Sequence, residues 1–133
     1  MMATISPEAA RGLCYALDPA LFAQSLGFTP DDWQADVLRS KDNMLLNVHR
    51  QGGKSTTVAV KALHKAVYTP GLLILTLSPS LRQSSELFRK VRGFYDAMPP
   101  EIKPGLDELK LGPVQPIDIS IPMPKQPAPE QKQ

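Results

Sequence analysis

The sequence predicts an α/β protein with parallel strands, and three observations predict it. Two short apolar runs, Met44-Leu-Leu-Asn-Val48 and Leu72-Leu-Ile-Leu-Thr-Leu77, read as buried strands, because strands covered on both faces appear as nearly continuous apolar segments. Between them Val58, Ala59, Ala62, Leu63, Ala66 and Val67 recur at helical spacing. After the second run Leu81, Leu87, Phe88, Val91 and Phe94 or Tyr95 do the same, with their apolar side expected to face the sheet. Strand, helix, strand and helix in that order make a right-handed crossover unit. A chain of 133 residues holds one such domain.

The elements follow in chain order. Ser6-Pro7-Glu8 starts a helix, with Ser6 placed to cap it and Pro7 at the first helical position, and apolar residues then recur to Leu17. Asp18-Pro19 restarts the pattern through Leu26, and Gly27 stands where a left-handed residue closes a helix. Thr29-Pro30-Asp31-Asp32 opens a third helix running to about Ser40, its two carboxylates favoured by the dipole of the first turn. Residues 1–41 are therefore a helical segment and residues 42–98 the α/β core, with its first helix from Ser55 to Tyr68, a turn at Thr69-Pro70-Gly71, and its second helix beginning at Ser78-Pro79. Nine of the 14 prolines fall in residues 99–133, a Pro/Gln-rich stretch without apolar period. Proline at that density removes donors and blocks helix, so this segment is expected to be a disordered tail.

Composition excludes several classes of function. At 42% hydrophobic and 21% charged the chain reads as a soluble globular protein, with no run long enough to span a bilayer and no basic n-region for a signal peptide. Its single Cys14 has no disulfide partner and no second cysteine for zinc, which fits a reducing compartment. Charge is uneven: residues 1–38 hold one basic and five acidic side chains, and residues 39–92 hold ten basic and two acidic. A basic middle suits a polyanion such as nucleotide phosphate or DNA, with a solvated helical face as the plainer alternative.

Chemistry is concentrated between the first run and its helix, in Val48-His-Arg-Gln-Gly-Gly-Lys-Ser-Thr56. Gly53-Lys54-Ser55 matches the end of the phosphate loop GxxxxGK[ST], while Val48 stands where the first glycine belongs. Glycines let backbone N–H groups curl around an anion, and the following helix starts with unpaired donors and the positive end of its dipole. Lys54 adds a cation for the terminal phosphates, and Ser55 a hydroxyl for Mg²⁺. His49 and His64 lack a second ligand at metal spacing and read as loop or helix-surface residues. Ser78 and Ser80 have no histidine–carboxylate pair that would make either a nucleophile. Arg82, Arg89, Lys90 and Arg92 read as the wet side of the last helix or as the lining of a DNA path.

Three ordered stretches resemble the large terminase subunit of tailed bacteriophages, the ATP-driven motor that packages DNA into capsids. His49-Arg-Gln-Gly-Gly-Lys-Ser-Thr56 is similar to that family's variant phosphate loop RQxGKST, which also lacks the usual first glycine. Leu26-Gly-Phe-Thr-Pro-Asp-Asp-Trp-Gln34 resembles its adenine-recognition segment, and Leu75-Thr-Leu-Ser-Pro-Ser-Leu-Arg-Gln-Ser-Ser85 its second strand and following turn. The likeness covers about residues 18–98 and implies a partial P-loop NTPase core of the RecA/helicase type, with ATP and Mg²⁺ as cofactors. It implies that Gln34 bonds the adenine edge, that Phe28 or Trp33 lies against the base, and that Arg50 contacts the γ-phosphate, where a guanidinium fork suits developing charge. Gln51, Gly52, Gly53, Lys54, Ser55 and Thr56 would form the ATP cup, with Lys54 on the phosphates and Ser55 on the metal. The family's partners are double-stranded DNA, the small terminase subunit and the capsid portal, with a ring open only to the complete protein, in the cytoplasm of the host bacterium.

A complete motor of this type needs a later strand ending Asp-Glu, where Asp helps hold Mg²⁺ and Glu orients water. Asp107-Glu108 is the only such dipeptide, and Pro104-Gly105-Leu106 before it cannot be a central strand. The nuclease domain of the family is also missing. The expectation is thus an amino-terminal ATPase portion joined to an unrelated tail, as a truncated or frameshifted reading frame would produce, weakly active or inactive by itself. The alternatives are a helicase-like ATPase fragment, or a non-enzymatic interaction module or inert product.

Overall fold

The computed structural model describes residues 4–105, which form five helices and no strand. Helix α1 spans Pro7–Leu17, α2 Pro19–Ser25, α3 Asp32–Arg39, α4 Lys54–Tyr68 and α5 Leu81–Asp96. Local chemistry sets their starts. The Ser6 hydroxyl accepts the Ala9 N–H at 3.2 Å and the Asp18 carboxylate accepts that of Ala20 at 3.0 Å, each followed by a proline in the first turn. Gly27 takes φ +82 just past α2, as a left-handed closing residue should. Helix α3 begins later than the Thr29-Pro30 signal suggests: Asp31 is its cap, and the Gln34 side chain reaches back to the Asp31 N–H at 2.8 Å. Ser80, two residues after the expected Ser78, caps α5.

The parallel-strand α/β core, and with it a partial RecA/helicase-like P-loop NTPase fold, is overturned. Residues 44–48 and 72–77 lie as irregular backbone between helices, joined to no ladder among the described residues. Leu45 is 96% exposed, Leu73 77% and Leu77 74%. An apolar run becomes a buried strand only when a neighbouring strand takes its N–H and C=O groups and layers cover both faces. Neither condition is met, so residues 72–77 are left facing water, while in the first run Leu46 and Val48 are half-buried and Met44 and Leu45 are exposed.

Helices do the burying instead. Phe22, Ala23 and Leu26 of the α2 region meet Leu38 of α3, Ala59, Val60 and Leu63 of α4, and Val91, Tyr95 and Met98 at the end of the α5 region. The buried stripe of α4 is Thr57, Ala59, Val60, Leu63 and His64, rotated from the expected one because α4 packs on helices to either side and not on a sheet. On α5, Leu81 is 54% exposed, while Val91 and Tyr95 turn inward. Lys61 ties α4 to α3: its ammonium donates to the carbonyls of Val37, Leu38 and Ser40 at 2.7, 3.3 and 2.6 Å, satisfying the end of α3. Arg39 and Asp18 join α3 to the start of α2 with two 3.1 Å bonds.

Residues 99–105 also pack. Ile102 is half-buried against the core, the Tyr95 hydroxyl donates to the Pro104 carbonyl at 2.6 Å, and the Lys103 ammonium sits 4.7 Å from the Tyr95 ring centroid. The rest of the Pro-rich tail expected over 99–133, including Asp107 and Glu108, lies outside the described residues. No helix among the described residues is long and apolar enough to cross a membrane.

Candidate functional site

The segment from His49 to Thr57 makes a bend that runs straight into α4. The Gly52 N–H donates to the His49 carbonyl at 3.2 Å, closing a four-residue turn whose third residue, Gln51, takes φ +65. Gly52 is required by space, since a Cβ there would stand 2.5 Å from Val48 Cγ1. Gly53 is required by conformation as well: it caps α4 at φ +81, which an L side chain adopts only at a cost. The first bond of α4 runs from the Thr57 N–H to the Gly53 carbonyl at 3.0 Å. The N–H groups of Lys54, Ser55 and Thr56 therefore precede the intrahelical ladder and remain as donors at its positive end.

Arg50, Gln51, Lys54 and Ser55 are exposed around this bend, and Gly52, Gly53 and Thr56 are half-buried. Among the described residues neither Arg50 nor Lys54 forms an ion pair. Two exposed cations thus flank the backbone donors at the start of α4, and no carboxylate among the described residues pairs with either, an arrangement that suits an anion. Ser55 offers a hydroxyl beside it, which fits a magnesium ion carried in by phosphates. The described residues contain no group of three His, Cys, Asp or Glu side chains placed to hold a metal by themselves.

Gln34 is brought to this loop. It is only 4% exposed, and its Nε2 lies 2.6 Å from where a Cβ on Gly53 would stand. Phe28 is half-buried in the core with its ring tilted against Phe94, 6.3 Å between centroids. Trp33 is half-buried on the first turn of α3. Of the cations suggested for a DNA path, Arg89 pairs with Glu86 at 2.8 Å and Arg92 with Asp96 at 3.5 Å, whereas Arg82 and Lys90 are exposed.

Two residues carry more than their sequence positions suggested. Thr57, fully buried, donates its hydroxyl to the Gly53 carbonyl at 2.9 Å and so locks the loop to the helix; a threonine four residues after a helix-starting glycine is the signal for such a bond. His64 is a core residue and not a helix-surface one. Its Nε2 is 3.0 Å from the Tyr15 carbonyl, and its ring stands 5.2 Å from that of Phe22 and 4.9 Å from that of Tyr68. Burial holds its pKa below the usual imidazole value.

No family model, no curated protein and no solved structure matches this chain.

Proposed function

We propose that residues 49–56 bind the phosphates of ATP·Mg²⁺, and that the chain is the ATP-binding portion of a phage DNA-packaging motor similar to the large terminase subunit. One observation carries the phosphate reading: an exposed bend with left-handed Gln51 and Gly53 passes directly into the start of α4, with Lys54 and Arg50 beside it and no acidic partner among the described residues. The backbone donors hold phosphate oxygens, Lys54 neutralises the terminal phosphates, Arg50 reaches them from the turn, and Ser55 faces the metal. The motor assignment rests on the three ordered stretches of sequence. Bound ATP supplies the phosphoryl group; the described residues provide binding and orientation and no Asp-Glu pair to position water, so turnover by this chain alone is expected to be slow or nil.

Thermal melting with and without ATP·Mg²⁺ tests the binding. A ligand at about 100 times its Kd adds roughly 2.7 kcal/mol to stability, an easily read rise in melting temperature. Lys54→Ala should abolish that rise while leaving the melting of the free protein unchanged, because Lys54 is exposed. A rise that survives the substitution would sink the proposal. A second reading, a non-enzymatic interaction module, is favoured by the exposed leucines of residues 72–77 and predicts no response to nucleotide in either protein.

A further inference from the structure

The carboxamide of Gln34 bridges two helix starts. A backbone N–H can only donate, so the 2.8 Å contact with Asp31 N–H fixes that end of the amide as oxygen and the other end as NH₂. The NH₂ end is the one that lies over Gly53, in the space a Cβ would fill. One polar end of the side chain is thus engaged by the protein's own backbone, the other rests against the loop, and only 4% of the residue reaches solvent.

We propose that Gln34 is a positioning residue for the phosphate loop: it holds Gly53 in its left-handed conformation, so that the first N–H groups of α4 face a polyphosphate, and it acts on that affinity regardless of the base attached. The inference rests on the phosphate reading of residues 49–56 and replaces the adenine-edge role that the resemblance implies for Gln34. Helix α3 gains a second function from this contact. Its carboxy-terminal carbonyls are gripped by Lys61 of α4, its amino-terminal turn presses on Gly53, and the two helices are thereby registered at both ends.

Calorimetric titration of the full chain with ATP, GTP and tripolyphosphate, each with Mg²⁺, tests this. The unaltered protein is expected to bind all three. Gln34→Ala should weaken all three by a similar factor, about tenfold for the loss of roughly one buried polar contact. Gln34→Glu keeps the acceptor for Asp31 N–H and the shape of the side chain but sets a carboxylate against the loop. A carboxylate in a site only 4% exposed should lower the melting temperature, and at a temperature where both variants remain folded Gln34→Glu should lose tripolyphosphate affinity more steeply than Gln34→Ala, a result that a purely structural role does not produce. Loss of ATP affinity in Gln34→Ala with tripolyphosphate unaffected would overturn the proposal in favour of base reading, and so would unchanged tripolyphosphate affinity in Gln34→Glu. Failure of the unaltered protein to bind any of the three would instead remove the phosphate reading itself, and this inference with it.

Discussion

Gly53 combines two constraints that meet nowhere else among the described glycines: a left-handed φ of +81 and a side-chain amide 2.6 Å from the site of its missing Cβ. Gly53→Ala is therefore expected to destabilise the fold by about 1–2 kcal/mol from backbone conformation alone, with more for displacing Gln34. Gly93 in α5 is the control, since nothing lies within 4 Å of its Cβ position and its φ is not positive. Gly93→Ala should stabilise by up to about 1 kcal/mol, as alanine does within a helix. Urea denaturation of the two variants reads opposite signs. The candidate site was legible in the sequence to the extent that its chemistry is local. Gly53, Lys54 and Ser55 are neighbours at a helix start, and their spacing states what they offer an anion. The contact of Gln34 with Gly53, and the burial of Thr57 and not Thr56, depend on how α3 and α4 pack, which no local spacing encodes.

Helices α1 and α2 start where their own signals stand, whereas α3 and α5 start two residues after theirs. Ser6-Pro7 and Asp18-Pro19 satisfy donors within their own first turns, so tertiary packing has little to add to their placement. The apolar runs at 44–48 and 72–77 have the hydropathy of strands and form none, because a strand is completed by a neighbour, which hydropathy alone does not supply. His64 shows the same limit within a helix: polar by type, it is buried because α1 supplies the Tyr15 carbonyl as its partner. Its titration makes the α1–α4 contact sensitive to acid. In the unfolded chain the imidazole titrates near 6.5, and burial lowers that value in the folded state. Below the unfolded value the unfolded chain binds more protons, so stability rises with pH in this window and is lost as pH falls through it. The melting temperature should drop between about pH 7 and pH 5, and His64→Gln should flatten that slope. Asp18, held below its ordinary carboxylate value by Arg39, adds a loss of the same sign only at lower pH.

At the scale of the whole molecule, the core is closed among helices while Leu45, Leu73, Leu75 and Leu77 stay outside it. Replacing a buried leucine by a charged residue would cost several kcal/mol, whereas exposed positions generally change stability by less than about 0.5 kcal/mol. The double substitution Leu73→Lys and Leu75→Lys should therefore leave the melting temperature nearly unchanged and reduce binding of a hydrophobic dye. A cooperative loss of structure would show that these leucines belong to the core after all. The leucines also tie the state of the protein to how much of it is present. Apolar surface of this kind is silent in dilute solution and finds like surface as molecules grow numerous, so protein concentration belongs beside pH and ligand among the variables that decide which species a sample contains.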